Sequence, residues 1–182
     1  MITNIKLSPL KEPRFVKTKS MSYEQDGVKK LWEIAEVHDS VAILIYNTEL
    51  EKFIFVKQFR PAVYLKNNEG YTVELCAGIV DKNSSLEQIA KEEVLEECGY
   101  ACGALEKITS FYTAVGFAGA QQTLYYVEVN ESQKVNAGGG IDMEQIEVLY
   151  MNHTEAKSLI LDESVARTPG IMFALSWWFS DH

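Results

Sequence analysis

Five glutamates, Glu87, Glu92, Glu93, Glu96 and Glu97, fall within one short segment of the chain. Carboxylate oxygens are hard donors. Grouped, they suit magnesium or manganese, ions that keep several waters and bind phosphate oxygens of a substrate. Spread around a helix, the same residues would make only a solvated face. Spacing separates the two cases. At about 100° per residue with Leu86 set to zero, Ala90 lies near about +40°, Val94 near about +80° and Ile89 near about −60°, and these define the apolar arc. Glu93 and Glu97 fall at about −20° and +20°, inside that arc, with Glu96 at about −80° on its edge. Glu87, Lys91 and Glu92 fall outside it and read as solvated charges. A buried unpaired carboxylate costs several kcal/mol, so a cation must face Glu93 and Glu97. Two sources are open: internal salt bridges, for example to Arg60 or Lys57, or a bound divalent metal.

The elements that must position these groups can be read from local signals. Ser84 followed by Glu87 has the capping-box spacing, and Gly99 stands where a left-handed C-terminal cap is expected, so the helix should run from about Ser85 to Cys98. Before it, "YTVELCAG" reads as one strand ending at Gly78. "SVAILIYN" and "KFIFVKQFR", joined by "TELE", read as a hairpin of the main sheet, and "LKNNEG" as a loop. "EKITSFYTAV" and "QQTLYYVEV" are strand-like and flank the glycine-containing "GFAGA", and "IEVLYMN" is a further strand after the loop "NAGGGIDME". "TEAKSLI" suits a short helix, and Thr168 with Pro169 opens a mostly apolar final helix. Upstream, residues 14–37 read as two strands around "QDG", a hairpin signal. The expected architecture is α+β, a mixed sheet layered with helices, divided into an N-terminal β appendage, 1–38, and a main domain, 39–182.

Composition narrows the partners. The net charge is −9 with no Lys- or Arg-rich run, so a nucleic-acid backbone finds no basic footprint. No apolar run approaches the roughly 18 residues of a membrane span, and the first residues lack the pattern of a signal peptide, which points to the cytoplasm. Cys76, Cys98 and Cys102 form no C-x-x-C pair and, with three histidines, do not suggest a zinc site or a disulfide framework.

From Gly78 onward the segment resembles the Nudix box, G-x5-E-x7-R-E-U-x-E-E-x-G-U, with Glu93, Val94, Glu96, Glu97, Gly99 and Tyr100 on the pattern. Two positions depart: Ser84 stands at the first glutamate position and Glu92 at the arginine position, which in the family generally form an electrostatic pair supporting the metal-binding glutamates. Lys91 or Lys82 is a partial substitute. The resemblance extends through "VKQFRPAVY", "VELCAG", "EECGY" and "GGGIDMEQIEV" to the nucleoside-diphosphate-sugar pyrophosphatase branch, nearest its UDP-sugar diphosphatase and ADP-ribose pyrophosphatase members. It implies an α/β/α sandwich, a homodimer built with the N-terminal segment, and hydrolysis of a nucleotide sugar with Mg2+ or Mn2+.

By that resemblance, Glu93, Glu97 and the Ala77 carbonyl are metal ligands, and Glu96 is an auxiliary one. From the late glycine-rich loop, Asp142 and Glu144 supply a further ligand and a general base, with Glu144 favoured as ligand and Asp142 as base. A capping role for Asp142 stays open. Arg60 is the candidate for a bidentate phosphate contact, against a structural salt bridge. Trp32 is a stacking surface for the base or a packed side chain, and Gln121 and Gln122 are contacts to the sugar or its phosphate. The departures at Ser84 and Glu92 leave one alternative from another class, a non-catalytic nucleotide-sugar sensor.

Overall fold

The computed structural model describes residues 2–141 and 143–181. The chain forms two compact units, Met1–His38 with Tyr112–Ala120, and Asp39–Phe111 with Gln121–His182. In the first, β1 (Lys17–Gln25) and β2 (Val28–Glu36) pair antiparallel around Asp26 and Gly27. Both turn residues have positive φ, 53° and 77°, which matches the right-handed twist of a two-residue hairpin.

The second unit is built on a seven-stranded mixed sheet. Its centre is β3 (Ser40–Asn47), antiparallel to β4 (Lys52–Phe59) and β6 (Cys76–Ile79) and parallel to β8 (Ala120–Val129). β5 (Tyr71–Glu74) and β9 (Ile146–Met151) pair with β4, and β7 (Glu106–Thr113) with β8. Alternation along β3 sends Val41, Ile43 and Ile45 to one face and Ala42 and Leu44 to the other. The first face is covered by Ile89, Ala90, Val94 and Cys98 of α2 (Leu86–Cys98). The second face is covered by α3 (His153–Leu159) and α4 (Pro169–Asp181), through Ala156, Leu159, Ile171, Ala174 and Leu175. This is the expected α+β class, an α/β/α sandwich with a separate two-stranded antiparallel sheet.

Three local expectations are corrected. Ser84 does not cap α2: the cap is Ser85, whose Oγ accepts from Gln88 N–H, and Glu87 pairs with Lys91 one turn on. The two serines offer the same chemistry, and the register of the buried face selects the second. The segment read as a loop begins in a helix, α1 (Pro61–Asn67), started by Pro61 and stopped by Asn68 in the left-handed region. None of its residues is buried, so it carries no amphipathic signal. Finally, "YTVELCAG" is two strands: at Leu75 the chain leaves β4 for β3.

Candidate metal centre

α2 places its carboxylates as the spacing requires. Glu97 is 4% exposed, within the apolar face, and Glu93 and Glu96 are half-buried. Gly99 ends the helix at φ 81°, donating its N–H to the carbonyls of Leu95 and Val94. Glu97 Oε2 accepts the Ala77 N–H of β6 at 3.0 Å, and the nearby Cys76 thiol also favours its ionised form. Glu93 lies across Gly78: a Cβ there would stand 2.0 Å from Glu93 Oε1. The glycine opening the motif is therefore the floor on which the Glu93 carboxylate rests.

The salt bridges open at the sequence level go elsewhere. Arg60 forms a fork with Glu74, Nε to Oε1 at 2.7 Å and Nη2 to Oε2 at 2.8 Å, and Lys57 pairs with Glu147. Among the described residues neither Glu93 nor Glu97 has an ion-pair partner. Burial accordingly pushes both carboxyls up to about 7 from an ordinary 4.5, with Glu96 adding to the shift at Glu93. Arg60 shifts upward, first through its pairing with Glu74 and then through the nearby charges of Glu97 and Glu144.

Glu144 belongs to the late loop, where its carboxylate accepts Ile141 N–H at 3.1 Å and a Cβ on Gly140 would meet its Oε2 at 2.7 Å. That loop is tied to the end of α2 by Gly139 N–H to the Glu97 carbonyl, 2.9 Å, and Gly140 N–H to the Glu96 carbonyl, 3.1 Å. Its charge reaches Glu93, Glu97 and Arg60 through space. Asp142 lies outside the described residues. Gln122 is anchored in the sheet by its amide on Ser40 Oγ at 3.0 Å, and the Gln121 backbone N–H by Asp39 at 2.8 Å. Trp32, in the first unit, is 53% exposed and donates its indole N–H to the Gly116 carbonyl of the same unit at 2.7 Å.

One feature was not foreseen, and a second was foreseen only in its lysine. Glu74 had no assigned role, although it is the partner of Arg60. Glu92, read as solvated, takes Lys82 Nζ at 2.7 Å and Gln88 Nε2 at 3.0 Å. An ion pair thus spans the segment leading into α2 and the middle of that helix, although neither box position that departs carries the usual residue.

The donor set fits a divalent metal. It is all oxygen, Glu97 is buried and Glu93 half-buried with no ion-pair partner among the described residues, and the small residue beneath Glu93 leaves it room. Among the described residues no three carboxylate, thiol or imidazole side chains come together as a metal-holding group, so an ion here would have to take the rest of its shell from backbone oxygen, waters and substrate phosphates. A pH test follows. Both carboxyls bind protons more tightly in the folded chain, so their contribution to stability without metal is full below about pH 4.5 and is lost as pH rises through about 7. Metal binding needs the ionised forms and runs the other way. Melting curves should show a larger stabilisation by magnesium at about pH 8 than at about pH 6. An equal gain at both would remove Glu93 and Glu97 from the metal site.

No family model matches the chain. Among curated proteins, it is 36% identical to the uridine diphosphate glucose pyrophosphatase NUDT14 of Bos taurus, covering 88% of this chain and 86% of that protein. The Mus musculus counterpart gives the same identity and coverage. The GDP-mannose pyrophosphatase of Citrobacter koseri is 34% identical over 74% of this chain and 71% of its own. With such similarity along most of both chains, and the carboxylate helix set over the glycine of its motif, the chain belongs to the Nudix hydrolases, in the nucleoside-diphosphate-sugar pyrophosphatase branch.

Proposed function

We propose that the protein hydrolyses the diphosphate bond of a UDP-glucose-like nucleotide sugar, with magnesium as the working metal, to UMP and a sugar phosphate. The observation that carries this reading is the pair of carboxylates on α2, Glu97 buried and Glu93 half-buried, that among the described residues have no ion-pair partner, beside an arginine held by Glu74 on one edge. The names of the relatives support uridine and guanosine diphosphate sugars, and ADP-ribose is the remaining candidate.

When bound, a divalent ion neutralises phosphate oxygens and lowers the pKa of a water. The residues of the chain do the rest. Glu93 and Glu97 would hold the ion with the Ala77 carbonyl, Glu96 assisting, and Gly78 leaves Glu93 its resting place. Asp142 or Glu144 takes the proton of the attacking water as the new O–P bond forms and the bridging P–O bond breaks. Arg60 holds the phosphate that does not react, and Gln121 and Gln122 contact the sugar side. Manganese, also a hard ion, should substitute.

The first unit is proposed as a dimerisation surface. Its ribbon exposes Val28, Leu31 and Trp32 at 58%, 69% and 53%, more apolar area than a solvated hairpin needs. Its Trp32 ring is the proposed platform for the base. No helix among the described residues is long and apolar enough to cross a membrane, and we place the enzyme in the cytoplasm, where nucleotide sugars are substrates.

The test is product formation by the purified chain with magnesium on UDP-glucose, GDP-mannose and ADP-ribose in separate reactions. UMP and a hexose phosphate from the first, faster than GMP or AMP from the others, is the expected result. Metal-dependent binding of all three without any monophosphate would replace this reading by a sensor.

A further inference from the structure

The buried charge that the acidic helix does not explain is Glu74. It ends β5, is 7% exposed, and opposite it across the strand pair stands Val56. Thr72, 5% exposed and on the same side of the strand, donates its hydroxyl to Glu74 Oε1. Both carboxylate oxygens are then taken by the Nε and Nη2 edge of Arg60. The arginine is also fixed at its backbone, where its N–H donates to the Gly70 carbonyl at 2.7 Å and its carbonyl accepts from Val63 and Tyr64 in the first turn of α1.

The pair is lopsided. The Glu74 side chain is 9% exposed and the Arg60 side chain 44%, and among the described residues Nη1 makes no hydrogen bond. As a device for stability this is a poor choice, because an apolar pair of the same volume serves at least as well. As a device for orientation it is a good one: a fork held on one edge presents its other edge in a fixed direction. The direction is set from β5, whose continuation β6 begins after Leu75 and carries both the Ala77 N–H that holds Glu97 and the Gly78 beneath Glu93. One run of five residues, 74–78, therefore positions the arginine and the carboxylates together.

We propose that Glu74 is a positioning residue: it aims the free Nη1 edge of Arg60 at a phosphate oxygen of the diphosphate and acts on substrate only through that arginine. This rests on the pyrophosphatase reading. Three predictions separate the role from its competitors. Glu74→Gln should lower kcat/KM for the turned-over nucleotide sugar by about 10- to 100-fold, the range for a lost outer partner of a functional group. Arg60→Ala should lower it at least as much, and the double variant should lose no more than Arg60→Ala alone, since a residue that acts through another has nothing left to position. Magnesium affinity, measured by titration without substrate, should stay unchanged in Glu74→Gln.

UDP binding by calorimetry gives a readout that needs no turnover, with weakening of about tenfold expected for Glu74→Gln, and melting curves show that each variant is folded. Losses that multiply in the double variant, or a change in metal affinity, would mean that Glu74 acts by itself. Wild-type kcat/KM and UDP affinity in Glu74→Gln would leave the ion pair purely structural. A wild-type chain that binds UDP but turns over no nucleotide sugar would fail the pyrophosphatase reading while the UDP measurements still judge Glu74.

Discussion

Glu97→Gln is expected to lower kcat by about a thousandfold and to raise the melting temperature of the metal-free chain. A bound metal supplies several kcal/mol of charge stabilisation in a phosphoryl-transfer step, and each 1.4 kcal/mol or so is a factor of ten in rate. Glutamine keeps the shape and can still accept the Ala77 N–H, but it is a poor partner for a hard cation. The stability change has the opposite sign because Glu97 is buried with a carboxyl pushed up to about 7. At about pH 8 without metal the native chain holds an ionised group it would rather protonate, and the amide removes that cost. Several degrees of added stability at that pH, shrinking toward about pH 5, would fit. The pair of measurements is kcat at saturating magnesium and the melting temperature in chelator. Unchanged kcat would take Glu97 out of the metal site, and a fall in both would make its role structural.

Gly78→Ala should be nearly as damaging to turnover while leaving the fold intact. The added Cβ would lie 2.0 Å from Glu93 Oε1 and 2.1 Å from its carboxyl carbon, a separation no packed atoms tolerate. The atoms in the way belong to the far end of a flexible side chain, so Glu93 swings off its resting place and the backbone need not move. Alanine is also the better strand residue at this position, which pairs with Val41 on β3. The expected outcome is a loss in kcat of about a hundredfold or more, as for other displaced catalytic groups, with little change in melting temperature. Adding Gly78→Ala to Glu93→Ala should cost nothing further, since the two act on the same carboxylate. Wild-type turnover by Gly78→Ala would show that Glu93 is not needed where it rests.

The face of α2 was legible because a helix repeats every 3.6 residues, so inward-pointing glutamates stand out among Ile89, Ala90 and Val94 before any fold is known. Strand content was legible for a similar reason, from runs such as "SVAILIYN", and so was the Asp26-Gly27 turn. Short-range competition was not. Ser84 and Ser85 offer the same cap, and only packing of the buried face selects one. α1 lies on the surface with no buried residue, and its apolar residues form one unbroken run, 62–65, without a helical period to mark it.

Residue types and spacing along the chain carried the local content: carboxylates on one helical face, a glycine before them, an arginine on a strand end, and a mixed α+β fold able to hold them. Tertiary structure alone decided who pairs with whom. Arg60 could have answered the charge of Glu93 or Glu97. It answers Glu74 because β4 and β5 run antiparallel and bring them together, while the chain turns away at Leu75 to join β3. Lys82 meets Glu92 only because the segment before α2 folds back along the helix. Periodicity is a local property of the backbone and can be read along the chain. The partner of a buried charge is set by which strands lie side by side, and that depends on contacts between residues far apart in sequence.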